Sequence, residues 1–417
     1  MTIASDAPKD GFRLGKLIYD TRYRSITIQV VFLLLFIAFI VWLSLNTLHN
    51  LEVKGKDFSF GFLGVRSGYD INQMLVEYSN DSTHGRALLV GLLNTLFVAA
   101  LACVLATVIG VAAGVLRLSK NWLVSRMIGV YVETFRNVPV VLWIVLVFAI
   151  MAVSMPEPKA FKGENATAHM LFNDSVAITN RGMFLPEPLF SRSLGNIDVG
   201  IFLISIDLLA ILAVLAASVM AYRWNERRVT AIQNATGVRP ITWWQTASVL
   251  ILPVVALLIA TGFHLGYPEL KGFNFIGGMQ ARNSMIALWL ALSIYHATYI
   301  AEAVRAGIMA ISRGQTEASL ALGLGAGQTT RLVVLPQAMR IIIPPLISQY
   351  LSITKNSSLA IAVGYMDLRS TLGGITMNQT GRELECMVLL MGIYLAISLI
   401  ISIVMNLYNN SIKLKER

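Results

Sequence analysis

Six ionisable side chains lie inside apolar runs of this sequence: Glu133, Arg136, Asp207, Glu302, Arg305 and Lys355. On insertion scales each costs roughly 2.5–3.5 kcal/mol near the centre of a membrane helix, so each needs a partner or a task. Glu133 and Arg136 are three residues apart, as are Glu302 and Arg305, a spacing that predicts self-neutralisation of each pair on one helix face. Arg136 is followed by Asn137 and Pro139. Proline in a helix frees a carbonyl and bends the chain, and broken helices bearing polar groups mark substrate paths in transporters. A guanidinium at such a break can grip a carboxylate with two parallel hydrogen bonds. For Glu302 and Arg305 two readings stand side by side, an ion pair that holds a bundle together or a part of that path. The polar run Thr354-Lys355-Asn356-Ser357-Ser358 also allows two. One is an interruption where a helix meets a neighbour or the headgroups. The other, preferred, is cavity lining, with Lys355 paired internally and the hydroxyls bonding helix carbonyls or substrate. Asp207, near the start of its run, reaches the interface and receives no role.

A second constellation is different in kind. Glu317, Ala318, Ser319, Leu320, Ala321 and Leu322 favour helix, Gly323 and Gly325 stop it around Leu324, and Pro336 ends the second half of the element. The result is a short helix-turn-helix between two apolar segments. Residues 314–328 carry few basic groups, whereas helices that lie on a bilayer carry many, so docking to a soluble protein is the better account. No G-x-x-x-x-G-K-[ST] stretch occurs, and residues 323–327 lack the Lys and hydroxyl that hold a phosphate. No H-E-x-x-H occurs among the five histidines. If ATP supplies energy, another chain binds it. Cys103 and Cys386 fall in apolar runs and read as small buried hydrophobes, with no disulfide framework or metal set.

These groups must be positioned by membrane helices. Of 417 residues 56% are apolar and only 13% charged, against about 25% charged in soluble chains. The net charge of +10 does not indicate nucleic acid, because the basic residues cluster at the ends of apolar runs, the membrane-surface pattern. Eight spans are predicted, over residues 26–48, 87–116, 130–153, 201–222, 246–266, 284–311, 341–364 and 386–408, in an all-α membrane fold. The first is too long for a cleaved signal peptide and reads as a retained anchor. With both termini inside, the inner segments hold eighteen Lys and Arg, including Lys9, Arg13, Arg117, Lys120, Arg126, Arg313 and Lys413. The outer segments, though longer, hold twelve, including Lys54, Lys56, Lys159 and Arg369. The positive-inside rule therefore predicts cytoplasmic termini and a cytoplasmic Glu317 loop.

The expected organisation is a cytoplasmic tail over 1–25, then an extra first helix and outer segment over 26–85. The first core part follows over 86–153. Residues 154–283 form an insertion with two helices and a proline-rich outer loop that reads as a surface loop or small ordered cap. The second core part occupies 284–408, with the Glu317 loop at 312–336, and a cytoplasmic tail closes the chain over 409–417. The core has five helices, with one N-terminal and two inserted helices added.

Glu317-Ala318-Ser319, three residues, Gly323, nine residues, Val333, one residue and Leu335-Pro336 resembles the EAA loop of ABC-importer permeases. Ser319 stands where that pattern commonly has Ala, and Val333 where it has Ile. Gly91-Leu-Leu-Asn94-Thr95-Leu, Phe135-Arg136-Asn-Val-Pro139, Ala301-Glu302-Ala-Val-Arg305-Ala-Gly307-Ile, Gly314-Gln315 and Lys355-Asn-Ser-Ser358-Leu are similar to the polar amino-acid permeases, in the histidine/glutamine/glutamate branch. The added first span and the insertion resemble the long subunit of the general or acidic L-amino-acid permeases, the Aap/Bzt type. The resemblance implies a type I importer permease in a bacterial inner membrane that pairs with a second, homologous permease subunit. Two ATPase subunits would bind ATP and Mg, this chain having no cofactor of its own, and a periplasmic binding protein would deliver an L-amino acid. It assigns ATPase coupling to Glu317, Ala318, Ser319, Gly323, Leu324 and Gly325. Arg136 would then anchor the substrate carboxylate, with Glu133 or Glu302 meeting the amino group and Asn137, Arg305, Lys355, Asn356 and Ser357 along the path.

Two other functions compete. An ion-coupled secondary amino-acid transporter would use Glu133, Glu302 and Lys355 but gives no reason for the Glu317 loop. A non-transporting scaffold or receptor component would make the outer segments the working parts.

Overall fold

The computed structural model describes residues 21–53, 55, 57–163, 166–198 and 203–412. Residues 1–20 and 413–417, with Lys54 and Lys56, lie outside the described residues, and so do most of the expected tails and their basic groups. The long apolar runs are helices because a backbone in lipid must satisfy its own hydrogen bonds. Helix α1, Thr21–Val53, belongs to a unit that ends at Phe62 and has an apolar surface all round.

From Leu63 onward the chain forms a second unit. Thr83 caps α2, His84–Leu116, by accepting a hydrogen bond from the Arg86 amide. Asn121 caps α3, Trp122–Asn137, through the Leu123 and Val124 amides. Helix α4 follows over Val140–Ser154. The single span expected over 130–153 is therefore two helices, bent by 105° at Val138-Pro139. The extended Val138 before a proline that has no amide hydrogen accounts for the break.

Helices α5, Ile206–Thr236, and α6, Trp243–Ala260, pack on each other. Helix α6 stops short of the span expected to reach residue 266, because Phe263–Gly266 is already a strand. Strands on both sides of this helix pair meet in a small β-cap. Gly182–Leu185 pairs with Ala177–Thr179 and with Met279–Ala281, and Glu187–Phe190 pairs with Phe263–Gly266, all antiparallel. Ala177, Phe184 and Phe275 form its apolar centre. Asp207 is buried, accepting bonds from Ser193 Oγ (2.6 Å) and the Leu194 amide (3.0 Å).

The remaining helices are α7, Asn283–Met309; α8, Arg313–Ala321; α9, Ala326–Thr329; and α10, Leu335–Asn356. After them come α11, Leu368–Ser370; α12, Met377–Thr380; and α13, Glu383–Ile412. Among the described residues seven helices are long and apolar enough to cross a membrane, or eight if α3 and α4 count as one broken span. Helix α7 is the centre, packed by α2, α4 and α10 around Val98, Ala102, Leu292, Ile300 and Ile342. Small residues make this possible, as in membrane helices that associate by close backbone approach. A Cβ on Gly110 would lie 2.6 Å from the Ile300 Cβ, and one on Gly114 would lie 2.7 Å from the Ala301 carbonyl oxygen. Between α10 and α13 the chain doubles back. There the fully buried Asp367 caps α11 by accepting from the Ser370 amide (2.8 Å), and burial pushes its carboxyl above the usual range.

Candidate coupling loop and translocation site

Helices α8 and α9 meet at a turn that the sequence builds residue by residue. Gly323 has φ +82°, the left-handed conformation that glycine adopts without a Cβ penalty. The Gly323 amide donates to the Leu320 carbonyl (2.9 Å) and the Leu324 amide to Ser319 (3.1 Å), satisfying the end of α8. The Gly325 amide donates to Gln328 Oε1 (3.1 Å), which starts α9. Ser319 is buried between the two helices, where its hydroxyl donates to the Thr316 carbonyl (2.8 Å) and lies 3.2 Å from the Thr329 hydroxyl. This polar tie is what the serine at that position adds. Glu317, Ala318, Leu320 and Leu322 are exposed, and Leu322 is 82% accessible.

Pro336 does not end the following helix. Residues Ala326–Val363 run on as one long apolar element, with a wide π-turn over Thr330–Val334 just before the proline. In that turn the carbonyl that Pro336 cannot satisfy and the ring that would clash are both accommodated. Pro344 and Pro345 likewise lie inside α10.

A cross-helix ion network joins three elements. Arg117, at the end of α2, binds Glu302 on α7 and lies 3.8 Å from Glu133 on α3. Arg305 completes it at 2.9 Å from Glu302, on one helix face as its spacing predicts. Glu133 and Arg136 do not pair. Arg136 projects instead toward α7, its guanidinium carbon 5.0 Å from the centre of the Tyr299 ring. The bend explains the change: Phe135 stacks on Trp143 across it, with ring centres 4.1 Å apart, and this turns the last residues of α3 toward α7. Tyr131 ties the same two helices by donating to the Ile294 carbonyl (2.6 Å). Asn137 is exposed at the break.

Beside Tyr299 lies a polar cluster. The Tyr295 and Tyr299 hydroxyls are 3.0 Å apart. His296 is buried, with Nδ1 2.9 Å from Gln349 Oε1 and Nε2 3.1 Å from Asn356 Nδ2, both on α10. The carbonyl oxygen of Gln349 accepts and the amide nitrogen of Asn356 donates, an arrangement that suits a ring with its proton on Nδ1. Ser357 is buried and donates to the Thr354 carbonyl (2.7 Å), and Ser358 donates to the Lys355 carbonyl (2.7 Å). The hydroxyls of this run thus serve the helix backbone. Lys355 is exposed and has no ion pair among the described residues, contrary to the expected internal pairing.

Arg117, Tyr295, His296, Tyr299 and Gln349 were not legible as site residues from charge spacing alone. Tyr295, Tyr299 and Glu302 repeat at i, i+4 and i+7, a polar stripe on an apolar helix that would have found the two tyrosines.

Residues 106–414 match the family described as "Binding-protein-dependent transport system inner membrane component". The chain belongs to this family. The "Glutamate/glutamine/aspartate/asparagine transport system permease protein BztB" of Rhodobacter capsulatus is 61% identical over 426 residues, covering 100% of both chains. The "General L-amino acid transport system permease protein AapQ" of Rhizobium johnstonii is 40% identical over 98% of this chain and 96% of that one. The "Putative amino-acid ABC transporter permease protein YhdX" of Escherichia coli K12 is 40% identical over 93% of this chain and 94% of that one. A solved "amino acid ABC transporter with histidines" aligns at TM-score 0.44 and 17% identity, covering 79% of this chain and 95% of that chain. The chain is therefore an ABC amino-acid permease of the Aap/Bzt type, a transport subunit and not an ion-coupled carrier.

Proposed function

We propose that this permease forms half of an import path for L-amino acids whose side chains are acidic or carry an amide, and that a separate ATPase dimer drives it through residues 313–327. The substrate class is supported by the 61% identity to a relative whose name specifies glutamate, glutamine, aspartate and asparagine. A homologous permease subunit faces this chain, a periplasmic binding protein delivers the cargo, and the Glu317 loop and both termini are cytoplasmic, in keeping with the charge distribution. ATP and Mg are held by the ATPase.

The observation that carries the coupling role is continuity. Helix α9 runs through the π-turn into α10, which holds His296 at Gln349 and Asn356. From Ala326 to Asn356 is roughly 45 Å of helix at 1.5 Å per residue. Closure of the ATPase pushes the exposed face of Glu317, Ala318, Leu320 and Leu322, and the stiff helix delivers that displacement to the polar cluster beside Tyr299. There Arg136 meets the α-carboxylate common to all such substrates, with Glu133 or Glu302 near the amino group. Arg305, Asn137, Lys355, Asn356 and Ser357 border the path. Closed and open helix arrangements then alternate access from the two sides.

The deciding experiment purifies the assembled importer and measures uptake of labelled glutamate into proteoliposomes, with competition by each amino acid in turn. Competition by aspartate, glutamine and asparagine, and none by lysine or arginine, is expected. Equal competition by cationic amino acids, or uptake without ATP, overturns the proposal.

A further inference from the structure

A cavity of about 790 Å³ opens beside the turn between α2 and α3. Arg117, Lys120 and Arg126 line it, and Glu133 is the only carboxylate among its lining residues. Arg117 is committed to Glu302 and Glu133. Lys120 and Arg126 are exposed and have no ion pair among the described residues. Three cations against one carboxylate leave the cavity with a surplus of two positive charges, and Ser119, which also lines it, adds a hydroxyl.

The wall of this cavity is an amphipathic helix. Helix α3 meets α4 at 105°, so with α4 along the bilayer normal α3 runs nearly parallel to the membrane plane. Trp122, Leu123, Met127 and Val130 are exposed on it. A helix with large apolar side chains outward and basic groups beside them rests at the boundary of headgroups and acyl chains. Basic pockets at that level take anionic headgroups.

We propose that the cavity at Arg117, Lys120 and Arg126 binds a phosphate group, with the headgroup of an anionic phospholipid as its source. Trp122 and its apolar neighbours hold the acyl chains while Lys120 and Arg126 meet the phosphate. A soluble phosphate would use the same cations without the apolar residues. The proposal depends on α4 crossing the bilayer and not on which amino acid is carried.

The test uses the assembled importer in detergent and measures lipid retention by native mass spectrometry during titration with phosphatidylglycerol or phosphatidylcholine. Wild type is expected to retain phosphatidylglycerol in preference to phosphatidylcholine. In the Lys120→Gln/Arg126→Gln variant its affinity falls about 30-fold, from roughly tenfold per 1.4 kcal/mol and about 1 kcal/mol per basic group, while phosphatidylcholine binding is unchanged. The Arg126→Lys variant keeps the charge and should keep the lipid, which separates lost binding from lost folding. Displacement of phosphatidylglycerol by millimolar inorganic phosphate would assign the site to a soluble anion, overturning the lipid source. Equal retention of the two lipids by wild type, or undiminished phosphatidylglycerol affinity in the double variant, overturns the site itself.

Discussion

The guanidinium carbon of Arg136 lies 5.0 Å from the centre of the Tyr299 ring, and the Tyr299 hydroxyl is 3.0 Å from that of Tyr295. Stacking uses the flat face of a guanidinium and leaves the N–H donors at its edge available to a carboxylate. The Arg136→Ala variant should therefore abolish uptake while the complex assembles and keeps its basal ATP hydrolysis. Tyr299→Leu removes the platform, worth about 0.5–2 kcal/mol, together with the hydroxyl beside Tyr295, so its apparent KM should rise by at least roughly 2- to 30-fold. Uptake assays in proteoliposomes decide both, and wild-type uptake by Arg136→Ala would remove Arg136 from the path.

The turn at Gly323 is open on the side where a Cβ would project, so substitution there acts through the backbone alone. Holding a non-glycine residue at φ +82° costs about 1–2 kcal/mol. Gly323→Ala should loosen the angle between α8 and α9 and reduce the stimulation of ATPase activity by loaded binding protein. Glu317→Lys, which reverses charge on the exposed face, should do so more severely. Stimulated hydrolysis that matches wild type in both variants would dissociate this loop from coupling.

Spans and the loop turn were visible in the chain because hydropathy and glycine placement are local properties. The number of membrane-crossing elements and the Gly323 turn both follow from them. Pairings were not visible, because they depend on where helices bend. Glu133 had an arginine at the correct helical spacing, yet the break at Val138-Pro139 directs Arg136 to Tyr299, and Glu133 faces Arg117 from another helix. Pro336 misled for a related reason: a π-turn five residues long absorbs it, and nothing in the local composition announces such a turn. The β-cap is non-local too, since Gly182–Leu185 finds its partner Met279–Ala281 only after two intervening helices.

His296 uses both ring nitrogens on one neighbouring helix, so its loss orphans Gln349 and Asn356 together. Interhelical hydrogen bonds in membrane proteins average about 0.6 kcal/mol and reach about 1.7 kcal/mol. His296→Leu should therefore destabilise the subunit by about 1–3 kcal/mol. Adding Gln349→Leu and Asn356→Leu should cost far less than the sum of the single changes, because the partners are then removed with it. Thermal unfolding in detergent tests this, and strict additivity would mean that the three side chains do not act as a unit.

Asp367 is fully buried at the cap of α11, with burial raising its carboxyl and the Ser370 amide partly opposing that shift. A carboxyl raised in the folded state binds its proton more tightly there than in the unfolded chain. The stability it contributes is thus complete below the ordinary value near 3.8 and is lost as pH rises through the folded value. Asp367→Asn keeps an oxygen for the Ser370 amide and removes the charge. Its melting temperature should exceed that of wild type at pH 8, with the gap narrowing as the pH is lowered toward the acid range. A gap that widens on acidification would mean the carboxylate is held by partners stronger than its burial.

Gly110 is where α2 and α7 come closest to forbidding any side chain. A Cβ there would meet Ile300 Cβ at 2.6 Å and the Ala297 carbonyl oxygen at 2.9 Å, and neither is the end of a flexible chain. Gly110→Ala gains helix propensity but forces the central helix pair apart, and overpacking of this kind costs about 1–3 kcal/mol. Because α7 carries Tyr295, His296, Tyr299 and Glu302, the displacement reaches the polar cluster as well as the core. Gly392 provides the contrast, since a Cβ there meets nothing within 4 Å and alanine should stabilise α13 by about 0.5–1 kcal/mol. Lower thermal stability and uptake for Gly110→Ala, beside unchanged or raised stability for Gly392→Ala, are expected. If Gly110→Ala matches wild type in both measurements, α2 does not press on α7 at Ile300, and the polar cluster is held in place by α10 instead.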